Sequence, residues 1–371
     1  MKLSHLAVLV TTLVGIVGCA APVAGTAARQ NSGQDFILTA TKPDRLFVID
    51  ARARTVKSEF RIPGANNLVS TIVPSPDGRI AYVLVNKMES IVGMDLETGQ
   101  AVFRADFSTP GERVRSIMSF DVTPDGREII VHQLPVRVEL NEYKVQEPRF
   151  AVYRTDAGLQ AKPVRTFPAP RRVHMVLSRK DGRSFYAMGF DLYEYDRQTG
   201  KLIAQQGIRD WQRPDYSLPD LLALWPVTEP TGIFSSPVFG VVTPPGGPED
   251  GVAKTALMTL DTASGKLEYH DFEETTAVIF STVMSPSRPE AFGVYTQLSK
   301  IDTANHTLAK RIDLPHTFYS INISSDGSEI YIGGAMCDVA IHDAATLDPK
   351  ANIRLPGCGD QSLATLRVVR R

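Results

Sequence analysis

The sequence predicts an all-β chain, a seven-bladed β-propeller of four-stranded antiparallel blades whose ring is shut by the C-terminal strand joining the N-terminal blade. Three observations predict it. A turn phrase, Ser75-Pro76-Asp77-Gly78-Arg79, is followed by the apolar run 80–85 and a second turn, Asp95-Leu96-Glu97-Thr98-Gly99. Pro presets φ, Asp bonds the backbone ahead and Gly takes positive φ, so each phrase reverses the chain between strands. The phrase recurs in degraded form: Asp125 of Pro124-Asp125-Gly126 lies 48 residues after Asp77, and Asp181-Gly182 and Asp326-Gly327 follow. A period of that length is the signature of stacked repeats. Finally, the chain begins with a group of only three strands and ends, at 362–369, with one strand left over. A last strand that completes a first, incomplete blade removes the open edge of the ring.

The units can be taken in order. The first group has strands at 36–40, 46–50 and 56–62. The second unit is complete, with strands at 70–73, 80–85, 90–95 and 101–107. The third has 119–123, 128–133, 150–154 and 164–167. The fourth turns at Lys180-Asp181-Gly182-Arg183 and again at Thr199-Gly200-Lys201, with strands at 184–188 and 191–196. The fifth is the most irregular, its clearest parts being 221–225, 238–242, 255–261 and Ser264-Gly265-Lys266 leading to Tyr269. The sixth has 280–284, 291–295, 298–302 and 308–312, with 286–289 in place of the first turn. The seventh restores the phrase at Ser325-Asp326-Gly327 and closes with 339–343 and 351–355. A parallel β-solenoid is the alternative architecture, but its repeat is shorter and lacks these hairpin turns.

The N-terminus reads as a targeting segment. Lys2 precedes an apolar run, 6–17, that is short for a bilayer span and ends in Ile16-Val17-Gly18-Cys19-Ala20, a lipobox-like sequence that would place a diacylglycerol on Cys19. Ordinary signal-peptidase cleavage near Ala27 is the other reading. Residues 1–19 are thus expected to be a signal peptide of lipoprotein type, 20–35 an Ala-, Gly- and Ser-rich tether, and 36–371 the propeller. The expected location is the periplasm, with a membrane tether where Cys19 carries the lipid. Cys337 and Cys358 are the cysteines that remain. In an oxidising compartment an even pair suggests a disulfide, with two buried free thiols as the alternative. Cys337 falls between strands two and three of the last blade and Cys358 after its strand four, and the antiparallel pairing of strands three and four brings those ends together.

Lys and Arg total 40 against 41 Asp and Glu, net charge −1, and the basic residues are scattered, which argues against nucleic acid as a partner. The seven His stand singly with no metal-ligand spacing, and Cys-x-x-Cys-His, Walker and Gly-x-Ser-x-Gly patterns are absent from the sequence. No metal, bound cofactor or catalytic residue is therefore assigned to this chain. Asp77, Asp125, Asp181 and Asp326 recur at turn positions and are read as turn caps.

The two kinds of short turn fall on one face of the ring. The variable connections fall on the other: 134–149, which is 16 residues, 206–219, and the Pro- and Gly-rich 243–254. Long connections of this kind carry function or disorder, so binding is expected on the variable face. Trp211, Tyr216, Tyr319 and Asp191 are the candidates there for a pocket accepting a cationic amine, with Trp225 a further aromatic that could line a pocket or contact a partner; blade packing is the other and commoner role of isolated aromatics such as Trp211, Tyr216 and Trp225.

Several runs resemble the β subunit of bacterial quinohemoprotein amine dehydrogenase. They are 74–86, which is common to propellers of the Tyr-Val-Thr-Asn repeat class, and the more specific 158–171 (Gly-Leu-Gln-Ala-Lys-Pro-Val-Arg-Thr-Phe-Pro-Ala-Pro-Arg), together with Leu38-Thr39-Ala40-Thr41-Lys42-Pro43, Trp225-Pro226, Tyr331-Ile332-Gly333-Gly334 and Leu355-Pro356-Gly357. The resemblance runs in order from about residue 36 to the C-terminus. It implies a periplasmic heterotrimer in which a small γ subunit carries cysteine tryptophylquinone, a diheme α subunit carries heme c, and the β subunit docks both and helps wall the pocket where a primary amine is oxidatively deaminated. No family catalytic residue carries over. The lipobox and the Cys337–Cys358 pair depart from the family pattern. The competing expectation is a non-enzymatic exported binding propeller that recognises a protein or glycan.

Overall fold

The computed structural model describes residues 33–243 and 251–371. The signal peptide, Cys19 and most of the tether lie outside the described residues.

Seven separate antiparallel sheets account for the strands, six of four strands and one of six. Blade 2 shows the repeat whole: Val69–Pro74, Ile80–Val85, Ser90–Asp95 and Ala101–Asp106, from the inner to the outer edge. Blade 1 is composite. Its outer three strands are Asp35–Thr41, Arg45–Asp50 and Thr55–Arg61, and Arg367–Arg370 pairs antiparallel with the first of them, Asp35 opposite Arg370 and Leu38 opposite Arg367. Gln34 and Arg371 exchange backbone hydrogen bonds of 2.7 and 3.0 Å, so pairing takes in the last residues of the expected tether. The chain is an all-β seven-bladed propeller closed by its C-terminal strand, as the turn phrases predict.

The turns form by the chemistry their residues dictate. The Asp77, Asp125, Asp181 and Asp326 carboxylates each accept the N–H two residues ahead, at 2.9–3.1 Å. Asp95, Asp196, Asp261, Asp302 and Asp343 do the same at the outer hairpins, each accepting the second and third N–H ahead. Gly200 closes one of these hairpins at φ +66°, and a Cβ there would meet the Phe167 ring of the preceding blade at 2.1 Å. The turn and the blade contact therefore both require glycine.

The hydrophobic core falls into seven clusters, one per blade interface. Blades 7 and 1, for example, meet through Tyr331, Val339 and Ile341 against Ile37, Phe47 and Val368. Each sheet buries both faces against neighbours, so strands two and three read as continuous apolar runs. On the rim of blade 7 the Cys337 and Cys358 sulfurs are bonded, with Cα atoms 4.6 Å apart across a 21-residue loop. Closing a loop of that size contributes about 3 kcal/mol by chain entropy.

Two regions differ from the sequence expectation. The second strand of blade 3 runs to Val138 rather than stopping at 133, and residues 134–149 form a hairpin in which Tyr143–Val145 pairs back on Val136–Val138 while Glu112–Arg115 pairs with the same strand. The Leu134, Val136, Val138 alternation continues the strand period. In blade 5 the inner strand is only Asp220–Leu221, not 221–225, and the next two strands begin earlier, at Ile233 and Val252. Pro237 in mid-strand has no N–H to give an inner neighbour, and the Ser236 hydroxyl donates to the Leu222 carbonyl instead, at 3.1 Å. Residues 222–231 leave the sheet and carry Glu229 to the closing strand.

There Arg367, 6% exposed, donates Nε to Glu229 Oε1 at 2.6 Å, Nη2 to Oε2 at 2.9 Å and Nη1 to the Ile72 carbonyl at 2.9 Å. Asn322 Nδ2 donates to the same carboxylate at 2.9 Å. Burial pushes the Glu229 carboxyl up, but the Arg367 charge and these hydrogen bonds outweigh it and hold the group below the ordinary glutamate value. Removing one partner leaves a buried charge unpaired, so Arg367→Met should lower unfolding free energy by about 3–5 kcal/mol, whereas the double variant Arg367→Met/Glu229→Leu should recover most of it. Urea unfolding of the three proteins checks this; equal losses in the single and double variants would contradict it.

Asp121, on the inner strand of blade 3, accepts the Ser178 N–H at 2.6 Å. Burial pushes its carboxyl up, and that hydrogen bond and the Arg367 charge offset the rise only in part. A carboxyl with a raised folded pKa costs stability where the unfolded chain holds it ionised. Asp121→Asn should therefore be more stable than the native chain near neutral pH, with the gap closing as pH falls below the ordinary aspartate value of 3.8. Thermal unfolding at both pH values tests it.

Candidate functional site

The variable face carries two aromatic assemblies, and the residues singled out in the sequence divide between them. The first lies where the link after blade 4 meets blade 5. The strand Leu202–Gly207 ends, and residues 208–219 fold back over the blade interface. Trp211, 8% exposed, packs edge-on against Tyr216 and Tyr269, with centroids 5.4 and 5.5 Å apart. Its indole N–H donates to the Ser217 carbonyl at 3.2 Å.

Arg213 occupies the space a cationic ligand would take. Its guanidinium carbon lies 3.7 Å from the Tyr216 ring centroid and 4.8 Å from that of Trp211. It grips Asp271 with two hydrogen bonds of 2.7 and 2.8 Å, and the Tyr216 hydroxyl donates to the same carboxylate. Burial pushes the Asp271 carboxyl up, but Arg213 and Tyr216 outweigh it and hold the group below the ordinary range. Tyr216 is pushed up to about 12 by burial and by its bond to Asp271. The cluster is internally neutral and satisfied, so a substrate ammonium would have to displace the guanidinium already in place.

Asp191 belongs to this side of the molecule. It opens the third strand of blade 4, accepts from Gln205 Nε2 at 2.6 Å, and its charge, behind burial, helps push the Tyr269 hydroxyl above its ordinary value. Tyr319 does not belong here. It precedes the inner strand of blade 7 and sits in the second assembly, with Phe280 at 5.1 Å, Tyr295 at 6.0 Å and Trp225 at 6.4 Å between centroids.

The second assembly is built by the blade repeat itself. Phe280 and Tyr319 immediately precede the inner strands Ser281–Met284 and Ser320–Ile323 of adjacent blades, at the same place in the unit. Backbone bonds fix them: Phe280 N–H donates to the Val294 carbonyl and Tyr319 N–H to that of Gly333, at 2.8 and 2.9 Å. The Ser281 hydroxyl donates to the Tyr319 carbonyl at 2.8 Å, tying blade 6 to blade 7. Trp225 enters from residues 222–231 of blade 5, 7% exposed, and its indole N–H has no acceptor among the described residues. Phe280, Tyr295 and Tyr319 are half-buried and offer ring surface to solvent. No guanidinium among the described residues covers them. Sequence reasoning missed Phe280 and Tyr295. Aligning the units on their inner strands finds Phe280, because it shares its position with Tyr319.

No family model matches the chain, and no curated protein does. Among solved structures it is similar to the dihydro-heme d1 dehydrogenase NirN, at a TM-score of 0.54 and 13% identity, covering 90% of this chain and 74% of that one. It is also similar to Kuenenia stuttgartiensis hydrazine synthase, at a TM-score of 0.50 and 13% identity, covering 91% of this chain and 99% of that one. Likeness at that identity shows the shared seven-bladed propeller and nothing finer.

Asp271→Ala removes both the counterion of Arg213 and the acceptor of Tyr216. It should cost about 2 kcal/mol in unfolding free energy. In an alkaline spectrophotometric titration it should bring the Tyr216 ionisation down from about 12 toward the ordinary 10, since the carboxylate is one cause of the rise. An unchanged tyrosine titration would remove Asp271 from that account.

Proposed function

We propose that this chain is the cofactor-free β subunit of an exported, periplasmic amine dehydrogenase of the quinohemoprotein type, a platform for a quinone-bearing γ subunit and a diheme α subunit. Its variable face supplies part of the wall around a primary-amine pocket. The observation that carries this reading is the half-open wall of Phe280, Tyr295 and Tyr319 backed by Trp225. It has ring faces for a cation or an apolar group, one unpartnered N–H donor and the phenolic hydroxyls of Tyr295 and Tyr319, but its side chains include no carboxylate, imidazole, amine or thiol. Such a wall becomes an active site only when another chain brings the chemistry. The ordered resemblance of the runs 74–86, 158–171 and 331–334 names the chain that would do so. One fold neighbour is a dihydro-heme d1 dehydrogenase, which is consistent with a propeller serving heme redox chemistry.

The same ring faces would also stack on a sugar or a partner side chain, which is the reading of a non-enzymatic binding propeller. One experiment separates the two. Affinity purification of the tagged chain from its native host, followed by heme staining and amine-dependent dye reduction, should recover a heme-bearing partner and activity; recovery of this chain alone would count against the complex. In the active complex, Tyr319→Ala should raise KM for a primary amine about tenfold with kcat within about twofold, the loss of one cation–aromatic contact. Asp77→Ala on the opposite face should leave both unchanged, and unaltered kinetics in Tyr319→Ala would take that ring out of the pocket wall.

A further inference from the structure

Three loops of the variable face meet at Phe190. Arg172 comes from the link between blades 3 and 4, Phe190 from the Gly189-Phe190 turn inside blade 4, and Arg209 from the link after it. Their main chains are in contact. Arg209 N–H donates to the Phe190 carbonyl at 2.8 Å, and a Cβ on Gly189 would lie 1.9 Å from the Arg172 carbonyl oxygen, so the Arg172 backbone rests directly on the glycine. The guanidinium carbons of Arg172 and Arg209 lie 4.6 and 5.0 Å from the Phe190 ring centroid. Phe190 nevertheless remains 42% exposed.

What sets this pair apart is that both guanidiniums lie on one exposed ring and neither has a counterion among the described residues. Several other arginines have carboxylate partners: Arg149 with Glu112 and Arg165 with Glu128 within blade 3, and Arg197 with Asp125, Arg213 with Asp271 and Arg311 with Glu273 between elements of neighbouring blades. Arg172 and Arg209 have no carboxylate or carbonyl acceptor among the described residues. The acids on the same loops do not serve them. Asp191 accepts from Gln205, and Asp210 follows Arg209 without pairing to it. Two guanidiniums thus lie on one ring, their backbones anchored to the Gly189-Phe190 turn by main-chain contacts and their charges without counterions among the described residues.

We propose that Arg172, Phe190 and Arg209 form a docking site for an acidic segment of a protein partner, its carboxylates engaging the two guanidiniums and an apolar side chain covering the ring. A guanidinium presents paired N–H donors that match a carboxylate. Arginine and exposed aromatics are the residue types that anchor protein interfaces. The site is open, so a free small anion meets two screened charges, whereas a protein partner that covers the ring also excludes water and strengthens both contacts. Beside it lies a cavity of about 340 Å³ whose lining is mixed, with Asp210 and Arg213 beside Arg209, Trp211 and Pro214, and with Leu218, 61% exposed, as an adjoining apolar foothold for the partner. The site stands on this geometry alone and does not require the amine dehydrogenase reading.

The test uses the purified full chain and a fluorescein-labelled oligoglutamate peptide ending in leucine, followed by fluorescence anisotropy at low salt. The double variant Arg172→Gln/Arg209→Gln should weaken binding about tenfold or more, and each single variant by a smaller factor. Arg183→Gln removes a likewise exposed charge from the opposite face and should leave affinity unchanged. Phe190→Ala should weaken the leucine-ended peptide more than oligoglutamate alone. Undiminished binding to the double variant would overturn the site, as would an equal loss with Arg183→Gln. Competition by inorganic phosphate at concentrations equal to the peptide would reduce it to a small-anion site and overturn the protein-partner assignment. Because the replaced side chains are exposed, thermal unfolding should be unaltered; a variant that unfolds early is replaced by the conservative Arg172→Lys/Arg209→Lys pair, which should retain charge-driven binding but lose the paired-donor advantage.

Discussion

The Arg367 guanidinium is the point on which the ring closes. It is carried by the last strand, in blade 1, and reaches a carboxylate sent from blade 5, a backbone carbonyl of blade 2 and, through that carboxylate, an asparagine of blade 7. The partner residues lie as many as 295 positions from Arg367 in sequence. A propeller closed only by strand pairing would depend on the short ladder of Asp35–Leu38 against Arg367–Arg370. Such a ladder tolerates slippage by two residues without exposing its apolar side chains. The charge pair does not tolerate it, because a shifted Arg367 leaves Glu229 ionised and unpaired among buried groups. Breaking such a pair from one side is costly whatever its net contribution to stability, and that cost is what opposes a shifted register.

That arrangement explains the irregularity of blade 5. Its inner strand stops at Leu221, and the next residues descend away from the sheet. Three side chains of that segment mark its course: Trp225 beside Phe280 and Tyr319, Val227 in the core between blades 6 and 7, and Glu229 on Arg367. One segment therefore joins the aromatic wall of the variable face to the lock that holds the ring. The blade with the poorest match to the repeat is the one that connects the two.

How much of this the residues disclose in advance depends on the range of the interaction. The Asp77 and Asp125 turns are legible because the carboxylate bonds N–H groups two residues away, and seven blades follow from counting such turns and pairing the leftover strand. Residues 221–225 look like a strand because they are apolar; that Pro237 denies them a partner is visible only once strand pairing is known. Trp211 and Tyr216 are legible as aromatics near a link. The guanidinium that fills the space between them is held by Asp271, 58 residues from Arg213, and no local pattern announces that. Tyr319 is separable from Trp211 only by placing each on its own blade.

The two faces of the ring differ in a way that bears directly on recognition. On the regular face the Asp carboxylates are consumed by their own turns, each accepting backbone N–H groups within a few residues, and those bonds hold several of the carboxyls below their ordinary range. A group already satisfied at short range gains little from a ligand, because any new bond must replace one it has. On the variable face the accounting is incomplete. Trp225 has a donor without an acceptor, and Arg172 and Arg209 have charge without counterions among the described residues. Burial of a partner against those groups supplies bonds the free chain lacks, whereas contact with the turn carboxylates would exchange bonds they already have. The repeat thus commits the turn carboxylates to its own backbone and leaves the connections that vary free to differ from blade to blade.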